Sequence, residues 1–288
     1  ALERGRKAIL CDLSPAAAFI AYNMCTPVDY RSYLDAVYEI LREASALERD
    51  LYTTRCRTCG QDTLMLYMVW SYGVLCPSCG KEFVLWDVAR AEGPTVRESK
   101  IRSEFACPYC GVQLRKRGLT RTQRYPVQVG YKCCSGRLQE ATAPPDAHDL
   151  ALLHDISGPP QGLWYPTDPF PDGVNTRQAI AAGITSVDKA YTPRALAAMA
   201  FLWDAALRWP EERLRLKLLF TITSLYQRVT LFSEFRFWGG SGNMANYNVP
   251  AIINEQNVFQ VFLRKARTIS WYFKHAPHVH RELRVSTQ

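Results

Sequence analysis

Cysteine spacing constrains this chain more than any other feature of its sequence. Eight of the ten cysteines lie between Cys56 and Cys134, and six of these eight form Cys-x-x-Cys pairs. The first pair is Cys56 and Cys59, the second pair is Cys76 and Cys79, and the third pair is Cys107 and Cys110. Two thiolates three positions apart bind one metal ion from a tight turn, and two such turns complete a tetrahedral shell. The spacing therefore predicts zinc ribbons.

The first and second pairs have the more regular spacing. Sixteen residues separate them, and each is followed by a glycine, Gly60 or Gly80, which relieves the crowded backbone beyond the turn. Residues 64–72 and 82–86 are rich in aromatic and branched side chains, which suit a small antiparallel sheet. Buried free thiols or disulfides are the alternative to metal. We predict one zinc ion bound by Cys56, Cys59, Cys76 and Cys79.

The third pair has a less regular partner, the adjacent cysteines Cys133 and Cys134. Adjacent cysteines both ligate one ion only if the chain bends sharply. His148 is therefore an alternative fourth ligand, and a packed, unbound thiol is another alternative. We predict a second zinc ion bound by Cys107, Cys110, Cys133 and Cys134, which gives two ions per chain.

Positive charge is concentrated beside the third pair. Residues 97–137 contain ten Lys or Arg and two Glu, so their net charge of +8 equals that of the whole chain. Lysine and arginine displace counterions from phosphate, which favours contact with nucleic acid. The alternative is that these cations balance the negative charge of the zinc thiolates. We predict a double-stranded DNA interface that contains Arg115, Lys116, Arg117, Arg121 and Arg124.

Composition limits the class of protein. With 288 residues and 48% hydrophobic content, the chain can bury a sizeable core in two or three units. No apolar run approaches the ~20 residues that span a bilayer, and no charged-then-apolar leader opens the sequence. Cys11 and Cys25 stand singly, which fits a reducing compartment better than a secreted disulfide framework. We expect a cytoplasmic protein that does not contact a membrane.

A strand, a turn and a helix are predicted at the start of the chain. Residues 8–11 are apolar, Asp12 ends the run, Ser14 suits an N-cap and Pro15 suits the first helical position. In doubly wound sheets, an acidic residue at the carboxyl end of the second strand accepts hydrogen bonds from the ribose of an adenosine-containing cofactor. Asp12 occupies such a position, although many α/β proteins end a strand with Asp for reasons of turn geometry.

Three segments resemble a known family: residues 5–15 (GRKAILCDLSP), 191–196 (YTPRAL) and 242–250 (GNMANYNVP). They are similar to segments of S-adenosylmethionine-dependent DNA methyltransferases that modify an exocyclic amino group, in the branch that contains zinc ribbons. The resemblance implies methyl transfer to adenine N6, or less strongly to cytosine N4, on an extruded base, in a restriction-modification setting. It also implies that Asp12 holds the ribose of S-adenosylmethionine.

Two motifs of that family are absent from the chain. Its glycine-rich cofactor loop would precede Ala1, and its Asp-Pro-Pro-aromatic tetrapeptide would follow Gln288. We therefore expect an internal fragment that is inactive alone, and we assign no catalytic residue. Residues 167–171 and 238–242 resemble these motifs only superficially, and we interpret them as loops. The alternative function is a non-catalytic zinc-ribbon adaptor that binds DNA or a protein partner.

The predicted fold class is α/β, with a partial Rossmann-like methyltransferase sheet, an inserted double zinc-ribbon module and a helical connecting region. Its predicted units are listed here: a strand-helix unit at 1–28, a connecting helix at 29–51, the small antiparallel ribbon insertion at 52–140, a Pro- and Gly-rich connection at 141–190, and a helical region at 191–288. In the last unit, Thr192 and Pro193 predict a helix start, and a final helix is predicted at 254–274.

Overall fold

One long strand organises the fold. The computed structural model of the chain describes residues 8–93, 99–132, 140–237, 247–275 and 283–286. Strand β3 (Asp62–Leu75) pairs antiparallel with β9 (Arg121–Lys132) on one side and with β11 (Ile252–Gln256) on the other. Strand β10 (Glu140–Ala143) extends the sheet beyond β9, so the order is β10-β9-β3-β11. The sheet thus joins the predicted ribbon insertion to the C-terminal region.

Short strands complete hairpins at both ends of β3. Strand β2 (Thr53–Arg55) pairs with its first residues and β4 (Glu82–Val84) with its last. The remaining two-stranded pairs are β5 (Arg90–Ala91) with β6 (Lys100–Ile101), and β7 (Glu104–Ala106) with β8 (Gln113–Arg115). Residues 85–86, predicted as strand, instead begin the short helix α4 (Leu85–Ala89).

Helices cover one face of the sheet and form the main core. Their buried side chains pack against Met65 and Met68 of β3 and against Val129 and Tyr131 of β9. The helices of this layer are α2 (Tyr30–Glu43), α3 (Ser45–Tyr52), α7 (Pro193–Leu207), α8 (Glu212–Thr223) and α10 (Val258–His275). Within the described ranges, no helix combines the length and apolar character that crossing a membrane would require.

The start of the chain folds as the sequence predicts. Strand β1 (Ala8–Cys11) is followed by helix α1 (Pro15–Cys25), and the Ser14 hydroxyl accepts a hydrogen bond from the backbone N–H of Ala17 at 3.4 Å. Strand β1 pairs in parallel with β12 (Leu283–Ser286). The described residues thus mix helices and strands, as predicted, but the main sheet is antiparallel, and both the Rossmann-like sheet and the zinc-ribbon module stay predictions.

Two helix predictions differ from the structure. The segment 29–51 forms two helices, α2 and α3, which meet at Ala44. The final helix begins at Val258, because residues 252–256 form β11 instead. All five residues of β11 are buried, and they hydrogen-bond to β3. Sheet pairing and burial therefore place residues 254–256, which we predicted as the helix start, in a strand.

Candidate metal centre and nucleic-acid interface

The three cysteine pairs share one turn geometry. In each, the backbone N–H of the following glycine donates to the carbonyl of the first cysteine, at 2.8–3.0 Å. The glycines Gly60, Gly80 and Gly111 have φ values of +73°, +68° and +75°. Glycine adopts this left-handed region without the steric cost that a Cβ imposes. Each turn is therefore built to present two sulfurs on one side.

The second and third pairs converge into a four-thiol cluster. The ligand atoms of Cys76, Cys79, Cys107 and Cys110 all lie within 4.8 Å of one another. The Cys76 and Cys110 sulfurs are 3.7 Å apart, and the Cys79 and Cys107 sulfurs are 3.8 Å apart. Sulfurs bound about 2.3 Å from a tetrahedral zinc ion lie about 3.8 Å from each other. The cluster has the dimensions of a zinc site.

Protonation is unevenly shared within this cluster. Burial opposes ionisation of the Cys107 thiol, but the backbone N–H groups of Cys110 and Tyr109 and the neighbouring thiols lower its pKa to about 6. The backbone N–H of Lys81 favours the Cys79 thiolate, but burial and the other three thiols raise its pKa to about 11. A cation among the sulfurs would stabilise all four thiolates together.

Aromatic packing holds the two metal-binding turns against each other. The Phe83 ring on β4 meets the Phe105 ring on β7 edge-on, with centroids 6.1 Å apart. Both rings belong to a buried cluster that includes Cys76 and Cys107. Trp86 extends this packing by stacking on Phe237 at 5.6 Å. The hydrophobic contact between the hairpins thus supports the sulfur geometry.

The pairing of cysteines differs from our prediction. Strand β3 contains 14 residues and spans roughly 45 Å at about 3.4 Å per residue. The first pair lies before its start and the second pair after its end, so these pairs are at opposite ends of the strand. The predicted set of Cys56, Cys59, Cys76 and Cys79 is therefore wrong as a single site. The third pair takes the place of the first.

The first pair is tied to helix α5 (Ala147–Asp155). Between its cysteines, the Arg57 guanidinium forms ion pairs with Asp146 at 2.9 Å and Asp149 at 2.6 Å. Asp149 is fully buried and also accepts a hydrogen bond from Thr54 at 2.6 Å. His148, the alternative ligand of the third pair, lies in this group and not among the four sulfurs. Because Arg57 already supplies the cation, we assign no metal to these carboxylates.

The turn of the first cysteine pair lies beside β9. Cys56 is buried. The backbone N–H of Arg57 donates to the Tyr131 hydroxyl at 3.1 Å, which holds the first pair beside β9. Cys133 and Cys134 lie outside the described residues.

Three of the predicted DNA-contacting cations form what we call the hairpin group. Arg115 ends β8, and Lys116 and Arg117 follow it; all three are exposed. Arg115 forms an ion pair with Glu104 at 3.1 Å, with both side chains largely exposed. An exposed pair of this kind contributes about 0–1 kcal/mol, so it does not prevent contact with phosphate.

The other two cations, Arg121 and Arg124, form the strand group on β9. The Arg121 guanidinium lies over the Tyr72 ring at 4.9 Å and donates to the Val249 carbonyl at 2.9 Å. Arg124 is exposed and lies opposite Tyr72 in the strand register. The structure therefore divides the predicted interface into a hairpin part and a strand part.

A groove borders the strand group. Its larger cavity has a volume of about 740 Å³ and its smaller cavity about 460 Å³. The cavities share Tyr72, Thr122 and Ala182, so they lie next to each other. The other aromatic side chains of the larger cavity are Trp70, Tyr165 and Tyr191.

A buried ion pair that the sequence did not predict lies at the base of this groove. Arg194 and Glu255 are 1% and 2% exposed, with Arg194 nitrogens 2.5 Å and 2.8 Å from the carboxylate oxygens. Thr192 and the Trp70 indole N–H also donate to this carboxylate. Burial raises the pKa of Glu255, but the Arg194 charge and these donors outweigh it and leave the pKa below its ordinary value. No local pattern reveals the pair, because its members are 61 residues apart.

Asp12, the predicted cofactor contact, is exposed directly after β1. Its Oδ1 accepts a hydrogen bond from the backbone N–H of Ser14 at 2.8 Å. This contact is an ordinary turn interaction at a helix start. The role of Asp12 in cofactor binding stays a prediction.

The chain matches no protein-family model, no curated protein and no solved structure.

Proposed function

We propose that the four-thiol cluster of Cys76, Cys79, Cys107 and Cys110 binds zinc. The observation that supports this proposal is the sulfur spacing of 3.7–3.8 Å across the cluster. Zinc would neutralise thiolates that otherwise repel one another, and its binding would stabilise the two hairpins by ~10 kcal/mol or more. The ion has a structural role, because four protein ligands leave no open coordination position.

A second zinc ion is the further part of this proposal. Its ligands are Cys56 and Cys59 of the first pair, with Cys133 and Cys134 as the remaining predicted thiols. Zinc binds thiolates, so this ion requires the four cysteines to be reduced. Metal analysis of reduced protein is expected to give two ions per chain, and one ion would restrict zinc to the four-thiol cluster.

We propose that the chain is part of an S-adenosylmethionine-dependent DNA methyltransferase acting on adenine N6 or cytosine N4. The parallel pairing of β1 with β12, which sets Cys11 opposite Ser286, is the observation that supports this activity. In open α/β sheets, ligands bind beyond the carboxyl ends of the strands. A tetrapeptide that followed β12 would therefore emerge at the same sheet edge as Asp12.

In this proposal, Asp12 orients the cofactor by accepting hydrogen bonds from its ribose. S-adenosylmethionine would supply an electrophilic methyl group at that edge. The exocyclic nitrogen of an extruded base would receive the methyl group, and extrusion costs a few kcal/mol. Proton removal and base positioning belong to the tetrapeptide of the family, so no residue of this chain is assigned to them.

Cofactor binding tests the proposed activity. The protein should carry this chain together with the family's glycine loop and acidic tetrapeptide. Hydrogen bonds to a charged group contribute about 1.5–3 kcal/mol, so Asp12→Ala is expected to weaken S-adenosylmethionine binding about 10- to 150-fold. Asp172→Ala, at an exposed loop aspartate, is the matched control and should leave the affinity unchanged. Equal affinities for both variants would refute the role of Asp12.

We propose that the hairpin group contacts the phosphates of double-stranded DNA. Replacing Arg115, Lys116 or Arg117 with Gln is expected to weaken binding similarly on all sequences and to lower the salt slope by about 0.9 per cation. Arg213→Gln, at an exposed position of α8, is the matched control. If the variants lose zinc while their intact fraction keeps its DNA affinity, the cations balance thiolate charge instead.

A non-catalytic zinc-binding adaptor is the second candidate function. The completeness of the four-thiol cluster favours it, because that site lies wholly within the chain, whereas Asp12 is a single cofactor contact. The adaptor predicts DNA or protein binding without any affinity for S-adenosylmethionine, even when both family motifs are present. The cofactor measurement above therefore separates the two functions.

A further inference from the structure

The groove beside β9 combines cations with aromatic rings that none of the functions above uses. Arg121 lines the smaller cavity, while Arg124 and Lys189 line the larger one. Lys189 lies 3.7 Å from Asp188, but its side chain is 64% exposed, so this ion pair is weak and leaves the ammonium group open to another anion. Three cations thus border two neighbouring cavities, which together form the groove.

Two aromatic rings of the groove, Trp70 and Tyr72, are held in place before any ligand arrives. The Trp70 indole N–H donates to Glu255 at 2.6 Å, which fixes the orientation of that ring. Tyr72 is only 8% exposed and lies beneath the Arg121 guanidinium. Tyr165 is half-buried and lines the larger cavity, on the segment that precedes α7. Rings that are already ordered lose little entropy when a planar group stacks on them.

We propose that this groove binds a single-stranded segment of nucleic acid. Its bases would stack against Trp70 and Tyr165, and its phosphates would follow Arg121, Arg124 and Lys189. Positively charged grooves with stacking platforms are how proteins hold unpaired strands without sequence preference. This inference rests on the proposed contact with nucleic acid, and it names an unpaired strand as the form that enters the groove.

The shape of the site favours a single strand over a duplex. In a duplex the bases are stacked on one another, so a recessed ring reaches their faces only after they unstack. Aromatic grooves also bind proline-rich peptides, which carry no required negative charge. The three cations at the rim complement phosphates and have no partner in such a peptide, so they favour nucleic acid.

The test is binding of a fluorescent oligothymidine of about 12 nucleotides to the full chain, measured by anisotropy at several salt concentrations. Arg124→Gln and Lys189→Gln are each expected to lower the salt slope by about 0.7, the value for one phosphate contact on a single strand. Tyr165→Ala is expected to weaken binding about 5- to 150-fold with an unchanged slope, because it removes stacking and no charge.

Matched variants control for unspecific effects. Tyr38→Ala removes a tyrosine that is 45% exposed on α2, and Arg213→Gln removes an exposed arginine on α8; neither lines the groove. Both should bind the oligonucleotide like the unchanged chain. Thermal melting and zinc content show that each variant is folded. Oligothymidine binding that is equal in groove and control variants would overturn the proposal.

Failure of this inference is distinguishable from failure of the proposed DNA interface. If duplex DNA binds and responds to the hairpin group while oligothymidine does not bind, the groove proposal is wrong and the hairpin contact stands. If neither nucleic acid binds, both are wrong. If a proline-rich peptide binds and Tyr165→Ala abolishes that binding without affecting oligothymidine, the groove is a peptide site.

Discussion

At the residue scale, the Arg194–Glu255 ion pair is the interaction whose loss we expect to be most costly. Removing one partner of a buried pair leaves an uncompensated charge, which costs about 3–5 kcal/mol. We predict that Arg194→Met lowers the free energy of unfolding by that amount in chemical denaturation. Arg208→Met is the matched control, because Arg208 pairs with Glu43 at 2.5 Å on the surface, and we expect a loss of about 0–1 kcal/mol. Equal losses would contradict the role of burial.

The same pair makes stability depend on pH. The folded pKa of Glu255 lies below its ordinary value of 4.5, so the unfolded chain binds the proton more readily. This stabilisation is present above about pH 4.5 and is lost as the pH falls through the lower folded pKa. We predict that, below pH 4.5, the free energy of unfolding falls less steeply with decreasing pH in the double variant Arg194→Met/Glu255→Met than in the unchanged chain. Chemical denaturation at several pH values measures this. Parallel curves would show that other groups cause the acid dependence.

At the element scale, the pairing of β3 with β9 depends on a close approach between the strands. A Cβ added at Gly130 would overlap the ring of Tyr67, which covers that glycine. Overpacking of this kind costs about 1–3 kcal/mol. We predict that Gly130→Ala lowers the free energy of unfolding by that amount. Gly173→Ala is the control, since a Cβ there meets only Thr176 at an ordinary 3.7 Å, and a similar loss in both would contradict the steric explanation.

Local signals in the sequence predicted the elements whose causes are local. Ser14 and Thr192 cap helices, and Gly60 and Gly80 adopt the left-handed turn, as predicted from neighbouring residues alone. Each of these features depends on interactions within a few residues.

The parts that were not predicted depend on distant pairing. Cysteine spacing indicates that a turn binds metal. The length of β3 keeps the first and second cysteine pairs at opposite ends of the strand, and this separation is not visible in the spacing. Residues 252–256 form a strand because β3 is available beside them, and nothing within the segment records this partner. The groove is likewise assembled from β3, β9 and the segment before α7, so its rings are scattered along the sequence.

At the scale of the whole molecule, the metal centre connects hairpins that the sequence keeps apart. The second pair follows β3, and the third pair lies between β7 and β8. A zinc ion among their four sulfurs would link the long sheet to the hairpin that carries Arg115, Lys116 and Arg117. Loss of this ion is therefore expected to weaken DNA binding through disorder of the hairpin, even though no sulfur contacts DNA.

Zinc content of pairwise cysteine variants tests this connection most directly. Four variants replace cysteines with Ser: three replace the first, the second or the third pair alone, and the fourth replaces the second and third pairs together. If the second and third pairs share one ion, removing either pair lowers the zinc content of the folded, reduced chain by one ion. Removing both pairs together then also lowers it by only one ion. The first-pair variant should keep that ion. A loss of two ions when the second and third pairs are removed together would contradict the four-thiol centre. So would a result in which the first-pair variant and the second-pair variant lose the same ion.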